Sequence, residues 1–589
     1  MKVAEVQKNL PVKTRRGLKS WLILVLSGLT VGLLLAKITF SLNIIWQIFN
    51  FAFQVDESEG MIVAETLLID KGVNIYALLT PKRFVAAPYT PLYYLLNWPF
   101  LHFSGASFKP GRLLSFVALC AIAFLLYKLV SLYSIYTKLP KKSQPDRVAG
   151  IAASLFWGSL GLAAFWGGAV KPDMLALCFS LAGIYAIYRY FALASYSNIL
   201  QTASFQLQPG SKIQVHFQRD SWFYAAIVFF ALAAMTKQTA FAGPIACMVF
   251  LVVNLRLTLA LRFVTGWLGL TFGPMLIMNW LSGGGFWYHI VTVHELPWSL
   301  ENYWKFFSAF VQSYQLYFGL ALIFSAGWLF DIIKKALLPR SFLEVLRADK
   351  ASLFVIYFGV SLGASLSAGT YGGNHNHLLE LAAAMCLCAG AALARIRERW
   401  GWGRAGQQWI YPVVLSLICL QTLGLFAGEG RVKPENFPVL GNIAPVQSGL
   451  ELLRTATYNP QWLGLEYRVP PEGLRQGLAQ VAAFMTNDVG PLIYTDNVSL
   501  GLASSKLLLT TDPFTQTHAT YLKRWDESYL IKLVETRQFH LIVLRDSIAE
   551  RLQQTGEARD IYLSPGLAQA ILANYKLTQR NAAFIYEPK

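Results

Sequence analysis

Long apolar runs alternate with short polar breaks along most of the chain. Eleven of these runs approach the roughly twenty residues that a helix needs to cross hydrocarbon. They lie at about 21–40, 113–136, 148–170, 174–193, 222–236, 239–255, 263–281, 313–333, 352–368, 378–394 and 408–427. The pattern predicts a polytopic α-helical membrane protein with about eleven transmembrane helices. A twelfth apolar stretch, "PLYYLLNWPFLHF" at 91–103, holds thirteen residues with Pro91 and Pro99, and is predicted to be a helix lying in the interface.

The pattern changes after about residue 428. A Pro-rich segment, "VKPENFPVLGNIAPVQSG", reads as a linker. The apolar runs "GPLIYTD", "KLLLTTD" and "FHLIVLRD" then read as strands, and "THATYLKRWDESYLIKLVETRQ" has helical spacing. This alternation predicts a small C-terminal α/β domain. The strand-end Asp496, Asp512 and Asp546 can be read as lining a ligand crevice or as turn formers and helix caps, and the second reading is preferred.

Charge sets the orientation. The net charge of +18 would suggest a nucleic-acid partner in a soluble chain, but cytoplasmic loops of membrane proteins carry excess Lys and Arg. With a cytoplasmic N-terminus at 1–20 and an interfacial 91–103, twenty-five basic residues fall inside and eight fall in outer loops before residue 428. Were 91–103 to span, nineteen of those inner residues would be external. The preferred topology gives a membrane domain over 21–428, a first external loop at 41–112 with interfacial helices, and an extracytoplasmic α/β domain at 429–589. The first span runs into Lys37 without a small-residue cleavage pattern, so it reads as a retained anchor. A composition of 55% hydrophobic residues, with mean hydropathy +0.43, excludes an ordinary soluble domain. All six Cys fall in predicted spans, which excludes a disulfide framework.

Five polar clusters gather at helix ends on the outer face: "VDESE" at 55–59, "APYTPLYY" at 87–94, "KPD" at 171–173, "TKQT" at 236–239 and "YGGNHNHLLE" at 371–380. Ionisable groups are costly near hydrocarbon, so a one-sided gathering marks a candidate site. Each cluster also has a plain reading. Asp56 and Glu57 could cap the helix that "EGMIVAETLLI" suggests, Asp173 could cap the next span, and Lys237 could snorkel. Glu59 and Glu65 read as a solvated helix face. His375 and His377 could pair on a metal, although their spacing puts two ligands together only on a strand. The Gly372-Gly373-Asn374 turn could instead present N–H groups to an anion at a helix N-terminus.

The order of an acidic motif in the first external loop, "YTPLYYLL", "KPD" and "TKQTA" resembles the integral-membrane glycosyltransferases of the GT-C superfamily, in the branch holding protein O-mannosyltransferases and the lipid A aminoarabinose transferases. The resemblance covers about residues 20–400. It implies an inverting hexosyl- or pentosyltransferase that moves sugar from a polyprenyl-phosphate donor to a lipid, glycan or protein acceptor on the exoplasmic side. By the same resemblance Asp56 acts at the acceptor, as general base or by metal-assisted orientation, with Glu57 as second acid and Asp173 as the acid of the second loop. A divalent Mg or Mn ion on Asp56 and Glu57 belongs to that implication. Lys171 or Lys237 would hold the donor phosphate together with Gly372, Gly373 and Asn374, while Tyr89, Tyr93, His375, His377 and Glu380 would contact substrate. Where aminoarabinose-type relatives carry Lys before a Pro-Pro pair, this chain reads Tyr89-Thr90-Pro91, so the implication does not extend to that sugar or to lipid A.

Two other classes compete. A transporter or flippase would show polar groups at mid-span and two similar halves with broken helices. A lipid-linked oligosaccharide ligase or polymerase would rely on external Arg and His pairs, and Arg is scarce in the outer loops.

Overall fold

In a computed structural model of the protein, the described residues are 18–137, 146–202, 209–336, 351–400, 410–428, 448, 472–488, 490, 492–506, 508–555, 562–580 and 582–589. The N-terminal basic segment up to residue 17 and nearly all of the Pro-rich linker lie outside them.

The chain is an integral membrane protein. Among the described residues seven helices are long and apolar enough to cross a membrane: Trp21–Phe49, Lys109–Tyr133, Pro172–Ala192, Leu257–Leu281, Gln315–Lys334, Ala351–Gly369 and His375–Glu398. The bent pair Arg147–Ser159 and Gly161–Gly168 counts as an eighth if it is taken as one span. Its 66° bend falls at Leu160, where the backbone turns extended and Ser159 Oγ bonds back to the Phe156 carbonyl. The other expected spans are also helical, within Pro209–Thr236, the twelve-residue Ala242–Val253, and Ile410–Gly428. The 91–103 stretch forms the thirteen-residue helix Leu92–Ser104 with Pro99 inside it.

The helix Leu379–Trp400 is the hub of the bundle, with Leu381 through Ala389 fully buried. Small residues allow this: a Cβ on Gly390 would come within 2.7 Å of the Ala153 methyl, so the two backbones approach closely.

The helix Glu57–Asp70 departs from expectation. Glu59 and Glu65, expected on a solvated face, are both fully buried. Arg112 meets Glu59 with a two-pronged ion pair, Nε to Oε1 at 3.0 Å and Nη2 to Oε2 at 2.8 Å. The guanidinium also donates to the Ile48, Phe51 and Phe53 carbonyls, and Glu59 accepts from the Val55 and Val170 amides. This pair therefore ties the end of the first span, the loop that follows it and the "KPD" turn together. Glu65 accepts from Tyr94 at 2.7 Å and from Thr511 at 3.2 Å. Burial raises its pKa well above the ordinary carboxylate range.

The C-terminal region carries a four-stranded sheet in the order β1-β2-β4-β3: β1 Ile493–Thr495, β2 Leu541–Leu544, β3 Tyr575–Arg580 and β4 Phe584–Pro588. β1 and β2 are parallel and the other pairs antiparallel. β2 is buried on both faces, Ile542 and Leu544 packing into one core and Leu541 and Val543 into another. Both cores borrow from the loop after the first span, Phe84 and Ala86 entering the first and Phe51 and Phe53 the second. The run "KLLLTTD", expected as a strand of this sheet, is not in it. Its Thr510 forms a parallel bridge to Phe84, because the loop backbone needs those partners: the Phe84 amide donates to Leu509 and the Phe84 carbonyl accepts from Thr511.

Candidate functional site

All five polar clusters contribute to the lining of one cavity of about 1410 Å³. Asp56 caps the Glu57–Asp70 helix, accepting from the Ser58 amide at 3.1 Å. The same oxygen receives Lys171 Nζ at 3.3 Å, and the ammonium lies 4.5 Å above the Trp166 ring. Burial alone would lower the Lys171 pKa, but Asp56, Tyr89 and Asp173 outweigh it and hold the pKa above the ordinary lysine range. The helix Pro172–Thr202 starts one residue before Asp173, whose carboxylate accepts from Lys237 Nζ at 2.5 Å and from Asn376 Nδ2 at 2.8 Å. Capping and chemistry are thus compatible for Asp56: the cap uses one oxygen and leaves the carboxylate at the cavity rim.

Tyr89, Lys171, Lys237, Gly372, Gly373, Asn374 and His377 also line the cavity. The turn at Gly372 is built for close approach: its φ is +74°, and a Cβ there would run into the Phe514 ring. The expected anion nest is not formed as drawn, because the Gly373 amide donates to the Thr370 carbonyl at 2.7 Å. Asn374 instead caps the short 3-10 turn His375–Leu378. His377 Nδ1 is 2.8 Å from Ser367 Oγ.

Three residues expected at the substrate lie elsewhere. Tyr93 is fully buried between helices with its hydroxyl on the Gly111 carbonyl at 3.2 Å. Glu380 accepts from Ser180 at 3.0 Å and Tyr357 at 3.2 Å inside the bundle. His375 packs edge-on against Phe306. None of the three lines the cavity.

The remaining wall comes from the C-terminal region, which the sequence offered only through its strand-end Asp residues, read by preference as caps; Arg545 and Tyr562 carried no signal there. Glu57 Oε1 accepts from Arg545 Nη1 at 2.6 Å and from the Tyr562 hydroxyl at 2.7 Å, and Arg545 Nε reaches Asp496 at 3.4 Å. Asp512 caps the helix Pro513–Tyr521 through the Thr515 amide at 2.9 Å and also lines the cavity. Burial pushes its carboxyl up to about 6, against the hydrogen bonds from Thr515. Asp546, by contrast, meets Arg551 at 3.6 Å and is not in the lining.

A divalent ion fits this arrangement poorly. Asp56 and Glu57 each already face a cationic side chain, and among the described residues no group of three or more His, Cys, Asp or Glu is placed to hold a metal. What the arrangement offers is a carboxylate beside two ammonium groups, opening to apolar Phe241, Phe272 and Met275.

No protein-family model and no curated protein sequence matches the chain. Solved structures do. The apo crystal structure of ArnT from Cupriavidus metallidurans superposes with a TM-score of 0.52 at 12% identity, covering 94% of this chain and 98% of that one. The structure of the same protein bound to undecaprenyl phosphate gives 0.50 at 13% identity, with the same coverage. The chain therefore has the fold of ArnT over nearly its whole length, including the C-terminal region that the motif resemblance did not reach.

Proposed function

We propose that the protein is a membrane glycosyltransferase that moves a sugar from a polyprenyl-phosphate donor to an acceptor on the exoplasmic side. The observation that carries this reading is the Asp56–Lys171 pair with Lys237–Asp173 beside it, at the rim of a large cavity with an apolar side. The likeness to ArnT, one structure of which holds undecaprenyl phosphate, supports it.

In this reading the donor phosphate enters between Lys171 and Lys237 while its prenyl tail stays against apolar side chains. The acceptor hydroxyl oxygen attacks the anomeric carbon, its proton passes to Asp56, and the bond from that carbon to the phosphate oxygen breaks, with inversion. Lys171 leaves Asp56 for the phosphate as negative charge develops there, which frees the carboxylate to act as base. No step uses a metal.

The test is donor binding. Native mass spectrometry of the purified protein with undecaprenyl phosphate should show a one-to-one complex. In Lys171→Gln and Lys237→Gln it should weaken by about 1.5–3 kcal/mol each, the scale of a charge-assisted contact. Equal affinity in both variants would remove the phosphate from this place.

A further inference from the structure

We propose that the C-terminal wall of the cavity is a subsite for an uncharged sugar ring of the acceptor, so that the acceptor is a glycan or glycolipid. This rests on the reading above for which side the donor takes. Asp56 turns to Lys171, whereas its neighbour Glu57 turns to Arg545 and Tyr562. Consecutive acids thus face two walls. With phosphate on the lysine wall, the wall across Asp56 is where the attacking hydroxyl must be carried.

That second wall has the chemistry of a carbohydrate site. Phe514 forms a corner, 5.4 Å from Tyr562 at 85° and 6.1 Å from Tyr371 at 7°. Such faces suit the C–H face of a sugar ring. The corner is held in place, since the Gly372 backbone touches the Phe514 ring and Tyr562 adopts a left-handed φ of 56°, rare for a bulky residue. Beside it Glu57 is 43% exposed, and its Oε2 makes no hydrogen bond to the described residues, leaving an acceptor for sugar hydroxyls. The guanidinium of Arg545 lies between Glu57 and Asp496, so the wall carries no spare positive charge to select a uronate or phosphate. One common way of reading a peptide, addition to a sheet edge, is not offered here. The free edges here are β1 and β3, and neither lines the cavity.

The experiment is saturation-transfer NMR on the full chain in lipid nanodiscs, with methyl α-glucoside, α-mannoside and β-galactoside, methyl glucuronide and an Ala-Thr-Ala peptide as probes. At least one neutral glycoside should receive saturation. That signal should fall about fivefold or more in Phe514→Ala and in Tyr562→Leu, and persist in Phe514→Tyr, which keeps the ring face. Melting curves identify a variant that fails to fold, and the other then decides. Signal independent of both rings, no signal from any neutral glycoside, or a preference for the glucuronide or peptide overturns the proposal. Undecaprenyl phosphate binding in the same nanodiscs keeps the two readings apart: its loss in wild type would sink the donor assignment, whereas its retention beside a silent glycoside panel would sink only the sugar wall.

Discussion

Glu59 and Asp56 lie three residues apart at the start of one helix, and each carboxylate faces a basic side chain. There the likeness ends. Glu59 and Arg112 are both fully buried and exchange two hydrogen bonds, with five further bonds to backbone groups from three segments. Asp56 and Lys171 keep 15% and 9% exposure and share one contact at 3.3 Å. A buried pair with every lone pair and proton matched fixes the backbone around it, and removing one partner strands the other. A single longer contact at a cavity rim can open when a phosphate competes for the ammonium. The acids of loop one thus divide into those that shape the cavity and those available within it.

The sharpest way to break that division is Arg112→Ala. It leaves Glu59 uncompensated in the interior and should cost about 3–5 kcal/mol of stability, seen as a large drop in melting temperature. A variant as stable as wild type would mean that the pair does not organise the loop.

A smaller effect separates Asp512 from the other acids. Its folded pKa, about 6, lies above the ordinary carboxylate value near 3.9, so the folded state holds this proton more tightly than the unfolded chain does. Its contribution to stability is present below about pH 4 and is lost as pH rises through about 6. Asp512→Asn keeps the helix cap, and the melting temperature measured across that range should lose this slope. An unchanged slope would place Asp512 in water.

The smallest effect belongs to Glu65. Its raised pKa and its hydrogen bonds from Tyr94 and Thr511 suit an acid already close to neutral, so Glu65→Gln should change stability by less than about 1 kcal/mol. A loss like that of Arg112→Ala would show that Glu65 is an ionised structural charge.

Much of this was legible in the sequence. The long apolar runs are helices, and the acids and lysines that gathered at helix ends, Asp56, Glu57, Lys171 and Lys237, do line one cavity. What stayed hidden depends on partners distant in the chain. Glu59 reads as a solvated charge because Arg112 is 53 residues away, and Glu57 looks free because Arg545 is 488 residues away. Helix-end clusters also conceal facing: Tyr93 and Glu380 share segments with cavity residues yet point between helices, and an all-apolar helix gives no periodicity to tell the sides apart. β3, "YKLTQR", carries the polar alternation of a half-exposed strand, too short a pattern to stand out beside the apolar runs.

The central claim is that Asp56 takes the acceptor proton. Asp56→Asn keeps the cap to Ser58 and the fold, and turnover is read in proteoliposomes as release of polyprenyl phosphate from the cell's own lipid-linked sugars. The account predicts a folded protein that still binds undecaprenyl phosphate but turns over about 10²-fold or more slowly, the scale of a lost general base. Normal turnover in that variant would contradict it and leave Asp56 as a helix cap.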